Sequence, residues 1–110
     1  SAVKKCQAVV TEPYLGPFIR KLPTIFQAKQ TIEELTELYS SLLKQINLVL
    51  DKGRRLVIIM PRLRTLENKT LFIDINNLAN SNGFSLACKP VIYAYKESKI
   101  IREICVLEKN

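Results

Sequence analysis

Leu56-Val57-Ile58-Ile59-Met60 is apolar at every position and rich in β-branched side chains. A strand with one wet face alternates, whereas an unbroken apolar run suits a strand covered on both faces, as in a parallel sheet flanked by helices. Pro61 is expected to end the run, because proline removes a ladder donor. Arg62 and Arg64 then fall in the following loop, while Arg54-Arg55 precede the run and read as solvent-facing.

The rest of the chain fits around that strand. Cys6 to Val10 is a shorter apolar run. It stops at Thr11-Glu12-Pro13-Tyr14-Leu15-Gly16-Pro17, where two prolines and a glycine cannot continue a strand. Residues 18–30 show no clean period and read as irregular. Thr31 and Glu34 fit a capping box that opens a helix. Leu35, Leu38, Leu42, Ile46 and Val49 then share one face at three- and four-residue spacing, and Tyr39 reads as a packing residue. Lys52 and Gly53 suit the helix's carboxyl end. Thr70 to Asn80 reads as a second helix with Phe72, Ile75, Leu78 and Ala79 inward, closed by Asn82-Gly83. Phe84 to Tyr95 is a strand region interrupted by Pro90; Lys96 to Lys99 is a polar hairpin turn; Ile100 to Leu107 is a last strand.

The order strand, helix, strand, helix, strand, strand defines an α/β chain. The first three strands are expected to be parallel, joined by helical crossovers, with an antiparallel strand at the end. That is half of a doubly wound, Rossmann-like sheet in a single partial domain over residues 1–110.

Composition narrows the function. The chain has no histidine, which removes His-based nucleophilic catalysis and His-ligated zinc from its own repertoire. Cys6, Cys88 and Cys105 are far apart and odd in number, against a disulfide framework or a structural zinc site. Cys88 and Cys105 lie in apolar runs and read as core residues, and the cysteine usage suits a reducing, cytoplasmic compartment. No apolar run approaches the roughly 18 residues that span a bilayer. With 17 Lys plus Arg against 10 Asp plus Glu, the net charge is +7, which fits a polyanionic partner.

Ligands of open α/β sheets bind outside the carboxyl ends of the strands. Two loops are expected there, Thr11 to Pro17 and Pro61 to Thr65. The first sets a carboxylate, a rigid proline and an aromatic side by side. Backbone carbonyls in such a turn can accept from an amino group, and Tyr14 can stack on a flat ring. The second brings Arg62 and Arg64, suited to phosphate.

Thr11-Glu12-Pro13-Tyr14 resembles the Asp-Pro-Pro-Tyr motif of S-adenosylmethionine-dependent methyltransferases that modify exocyclic amino groups of bases, in particular those acting on guanine in tRNA. In that family the motif follows the fourth strand of a seven-stranded sheet, and helix, strand, helix, strand and antiparallel strand follow. The same order covers nearly all of this chain. Ser98 to Glu108 is also similar to the family's final strand. The resemblance implies that an acidic side chain and a proline carbonyl accept from the target amino group while the aromatic ring stacks on the base. Pro13 and Tyr14 match by position. Either Thr11 occupies the acid position and Glu12 replaces the first proline, or Glu12 is the acid and one proline is absent. Thr11 and Glu12 are also the positions at which contact with the cofactor, S-adenosylmethionine, is open. The family's glycine-rich cofactor turn has no counterpart, since Gly16, Gly53 and Gly83 are isolated. The resemblance is therefore to the carboxyl-terminal, base-binding half of the catalytic domain. In isolation such a half is expected to be inactive, and to self-associate through the open edge of its first strand. The alternative is a non-catalytic basic α/β module that binds RNA or a protein.

Overall fold

The computed structural model describes residues 6–11, 22–93 and 100–110. They form β1 (Cys6–Thr11), α1 (Ile25–Val49), β2 (Leu50–Arg64), β3 (Thr70–Phe72), α2 (Ile75–Ser81), β4 (Phe84–Leu86), β5 (Val91–Tyr93) and β6 (Ile100–Lys109).

The first helix starts earlier than Thr31. Thr24 is its N-cap: its hydroxyl accepts from the Gln27 backbone N–H at 3.1 Å, and the Gln27 side chain accepts from the Thr24 N–H at 3.0 Å. Pro23 stands just ahead of this capping box, where the chain is still extended. The buried stripe is Ala28, Leu35, Tyr39, Leu43 and Ile46. Leu35, Ile46 and Tyr39 thus lie inside as expected, but Leu38 is 45% exposed and Leu42 only flanks the core. Leucines at 38, 42 and 43 offer two stripes rotated by one residue, and the one that also buries the Tyr39 ring prevails. The helix ends at Val49, ahead of Lys52 and Gly53. Its last carbonyls are met by a cation from across the sheet: the Lys109 ammonium donates to Asn47 O at 2.5 Å and Leu50 O at 2.7 Å.

Strand β2 runs straight through Pro61, which pairs with Arg102 of β6. On its other edge, β1 pairs as far as Ile58 and β3 begins at Arg62, so Pro61 falls in a gap where no ladder donor is required. The expected loop at Pro61 to Thr65 is therefore strand up to Arg64. The expected helix over residues 70–80 is a strand followed by a shorter helix. Thr65 N–H donates to Lys69 O at 2.8 Å, and Asn68 takes a left-handed φ of 61°. Together they turn β2 back into β3, a hairpin closure that asparagine tolerates better than most residues. Asp74 then caps α2, where Ile75, Leu78 and Ala79 are buried, whereas Phe72 stays on β3 and is 50% exposed. Asn82 closes α2 and Gly83 follows at φ 82°, as the sequence indicates.

The sheet order is β1-β2-β6-β4, with β3 beyond β1 along β2 and β5 beyond β4 along β6. Only β1 and β2 pair in parallel; every other described pairing is antiparallel. Three adjacent parallel strands with an antiparallel strand at the end are thus not what forms. Strand β6 inserts between β2 and β4. It is unbroken over ten residues and pairs with β2 from Arg55↔Glu108 to Leu63↔Ile100. The Phe84 to Tyr93 region is broken by Pro90 into two three-residue strands and takes the edge, where proline is tolerated.

Both helices cover one face of the sheet. Leu35, Tyr39, Leu43 and Ile46 of α1 and Ile75, Leu78 and Ala79 of α2 share one core with Leu56, Ile58, Met60, Cys105 and Leu107. Those strand residues alternate along β2 and β6, while the intervening Val57, Ile59, Ile104 and Val106 are half-buried. Cys105 is fully buried as expected, but Cys88 lies in the exposed break between β4 and β5. Arg54 and Arg55 are exposed, as read from the sequence.

Candidate functional site

The two expected site segments meet different fates. Thr11 is the last residue of β1 and pairs with Ile58, so β1 delivers the chain to the edge toward which β2 runs on to Arg64. Glu12, Pro13 and Tyr14 lie outside the described residues, as does the expected turn at residues 96–99. Thr11 is therefore the motif position that falls among the described residues.

Arg62 and Arg64 stand on β2, two residues apart and so on one face of it. Arg62 is not a free loop cation. Its Nε and Nη2 reach one oxygen of Glu103 at 2.8 Å and 2.6 Å, and its guanidinium lies 4.1 Å from the centroid of the Phe72 ring. Register brings these groups together: Arg62 is opposite Phe72 across β3, and Glu103 is opposite Met60 on β6, one step diagonally away. The Glu103 side chain is only 5% exposed and that of Arg62 22%. A carboxylate taken this far out of water needs a hydrogen-bonded cation, and the guanidinium supplies two donors to it.

The Cys105 thiol completes this cluster, 3.5 Å from the second Glu103 oxygen. Burial, then the charge and hydrogen bond of Glu103, push its pKa up to about 12, so it is a protonated core group at neutral pH and not a nucleophile. Among the described residues, no group of His, Cys, Asp and Glu could hold a metal ion.

Sequence reasoning missed Glu103 and Phe72. An acid in the middle of the apolar run Ile100 to Leu107 was the available signal, since such a residue needs a partner. Phe72 had none, because its helical reading rested on the spacing to Ile75 and Leu78.

The hairpin beyond Arg62 is rigid and basic. Thr65 is buried; its hydroxyl donates to Lys69 O at 3.0 Å and accepts from Lys69 N–H at 3.1 Å. The start of α1 is tied to the same turn: Leu66 N–H donates to Pro23 O at 2.9 Å, and Ile25 N–H donates to the Glu67 carboxylate at 3.0 Å. Beside the hairpin, α1 and the β3–α2 segment enclose a cavity of about 380 Å³.

The described residues do not form a cradle for a nucleoside cofactor. Gly53 lies in β2 and Gly83 follows α2, both single, and no glycine-rich turn is available to bring backbone close to such a group. No helix of the described residues is long and apolar enough to cross a membrane.

By sequence the chain matches no known family and no curated protein. By fold it is similar to a protein from Thermus thermophilus designated a DNA modification methylase, in its complex with S-adenosyl-L-methionine. The TM-score is 0.61 at 18% identity, over 98% of this chain and 46% of that one. The selenomethionine form of that protein gives 0.57 at 17%, over 98% and 45%. TrmN from Thermus thermophilus gives 0.53 at 17%, over 97% of this chain and 24% of its own. At these identities the likeness shows the fold alone: the chain has the fold of part of these proteins and spans less than half of their length.

Proposed function

We propose that this chain is the base-binding half of an S-adenosylmethionine-dependent methyltransferase that acts on an exocyclic amino group of an RNA base, with guanine in cytoplasmic tRNA as the substrate. The supporting observation is the fold itself. A likeness covering 98% of the chain reaches a protein held with S-adenosyl-L-methionine, and β1 ends at Thr11, at the carboxyl edge where ligands of such sheets bind, immediately ahead in sequence of Glu12-Pro13-Tyr14.

The work of this chain is orientation. Thr11 or Glu12 and the Pro13 carbonyl accept from the amino N–H groups, which fixes the nitrogen lone pair in direction. Tyr14 stacks on the extruded base and holds its plane. The methyl donor requires a cradle that these residues do not form, so the cofactor-binding share of the reaction belongs to the other half of the fold.

Tyr14→Ala in the complete enzyme tests this reading. Loss of one base–aromatic stack is worth about 1–3 kcal/mol, so methyl transfer to tRNA should fall at least about fivefold with the circular dichroism spectrum unchanged. An unchanged rate would remove Tyr14 from the site.

A further inference from the structure

The cavity between α1 and the β3–α2 segment has an apolar wall and two acids, Glu37 and Asp74, in its lining, and the cations of the neighbouring hairpin stand outside it. Ile32, Ile73 and Leu78 supply apolar lining, and the half-exposed Phe72 ring stands at its border. Its volume of about 380 Å³ falls within the roughly 300–1,000 Å³ of small-ligand sites. Glu37 and Asn77 also line it, and both can meet the donor and acceptor edge of a flat ring.

The charges are sorted along the groove. Arg64 follows Arg62 on the same face of β2 and pairs across the hairpin with Thr70, next to the exposed Lys69. Lys29, also exposed, is on the same stripe of α1 as Ile32 and Thr36, one turn nearer the hairpin-bound end of the helix. Glu67 is engaged with the Ile25 N–H, while the exposed Glu33 follows Lys29 by one turn on α1. The hairpin end is thus cationic, and the acids Glu37 and Asp74 lie at the cavity. An aromatic platform flanked by cations on one side and base-edge partners on the other is the chemistry of single-strand recognition.

We infer that this groove, between α1 and the β3–α2 segment, binds single-stranded RNA: a base packs on Phe72 over the cavity, and the adjoining phosphates lie on Arg64, Lys69 and Lys29. The inference rests on the base-methyltransferase reading for its choice of RNA. It places a second contact on the substrate, on β3, which follows the carboxyl end of β1 along the same edge of β2. Arg62 acts as the positioning residue for the ring, since its own charge is taken by Glu103.

Fluorescence anisotropy of this chain with a short labelled single-stranded RNA tests it, without methyl donor or turnover. Phe72→Ala should weaken binding about tenfold. Phe72→Leu, which keeps the apolar packing and removes the ring, should do nearly the same, so a folding defect cannot account for the loss. Arg64→Ala with Lys69→Ala should flatten the dependence of log affinity on log salt by about 1.4, two phosphates' worth on a single strand. Affinity untouched by either Phe72 variant, tighter binding to a DNA strand of the same sequence, or self-association through Phe72 in place of RNA binding would each overturn the inference. An enzyme that binds RNA here but transfers no methyl group would keep the groove and refute the methyltransferase reading.

Discussion

Glu103 shows how much one residue's surroundings decide its worth. It shares the sheet with a second ion pair, Arg55 with Glu108 at 3.7 Å, whose side chains are 64% and 47% exposed. Water screens that pair, so Glu108→Gln should change unfolding free energy by less than about 1 kcal/mol. Glu103→Gln keeps the shape of the side chain but leaves the half-buried Arg62 guanidinium without its counter-charge. Urea unfolding should show a loss of about 2–3 kcal/mol, somewhat below the cost of breaking a fully buried pair because Arg62 retains some water. Equal effects of the two substitutions would contradict the burial argument.

The neighbouring thiol gives a pH signature. The pKa of Cys105 rises from an ordinary 9.0 to about 12 in the fold. Below about pH 9 both folded and unfolded thiols hold the proton and the fold keeps its full stability. Between about 9 and 12 only the folded thiol holds it, so stability falls with rising pH, at up to about 1.4 kcal/mol per unit. Cys105→Ala should remove that component of the slope in paired unfolding curves. In the native protein, iodoacetamide followed by peptide mapping should find Cys88 modified and Cys105 protected.

Capping and turn chemistry set the element boundaries. Thr24→Ala should cost about 1 kcal/mol, because it removes the hydroxyl that accepts from the Gln27 N–H. Gly53 and Gly83 separate backbone cost from steric cost. Both have φ near +80°, but a Cβ at Gly53 meets nothing within 4 Å, whereas at Gly83 it would come within 2.7 Å of the Asn47 amide. That amide donates to Asn82 O at 3.1 Å and joins α1 to the end of α2. Gly83→Ala should therefore destabilise clearly more than the roughly 1 kcal/mol expected of Gly53→Ala, as read from thermal unfolding.

Element boundaries were also the part of the fold least legible in the sequence. Thr24-Ile25-Phe26-Gln27 carries the same capping signature as Thr31 to Glu34, and both precede apolar residues at helical spacing; Pro23 is what selects the earlier start. Pro61 reads as a stop because a sequence does not disclose which edge of a strand lacks a partner. Thr70 to Phe72 reads as helix because three residues are too few to show a period of two. The long apolar runs of α1, the core of β2 and β6 were legible as helix and strands, but the unbroken run Leu56 to Met60 suggested cover on both faces, whereas both helices lie on one and leave Val57 and Ile59 half-buried.

At the scale of the whole molecule, the sequence indicated the alternation of strands and two helices, without β3 and the split between β4 and β5, and it did not indicate the neighbours. Placing β6 between β2 and β4 follows from competition between an unbroken ten-residue strand and one split by Pro90, a comparison visible only once pairing partners are known. Thr11 stands where a strand end was expected, whereas Arg62 exchanged an open loop for a buried ion pair. The sheet's other end bears on assembly. Among the described residues β1 is paired with β2 alone. An open edge of that kind recruits another chain, so light scattering of the isolated chain should report dimers or larger species, and a monomer at high concentration would contradict this.

On the proposed reading, this fold holds a base so that its exocyclic amino nitrogen receives a methyl group. The direct measurement is to supply the complete enzyme with isotopically labelled S-adenosylmethionine and unmodified tRNA, digest the product to nucleosides and locate the label. Label is expected on the exocyclic amino nitrogen of guanosine. Label on a ring nitrogen or ribose oxygen, or none on RNA at all, would contradict it.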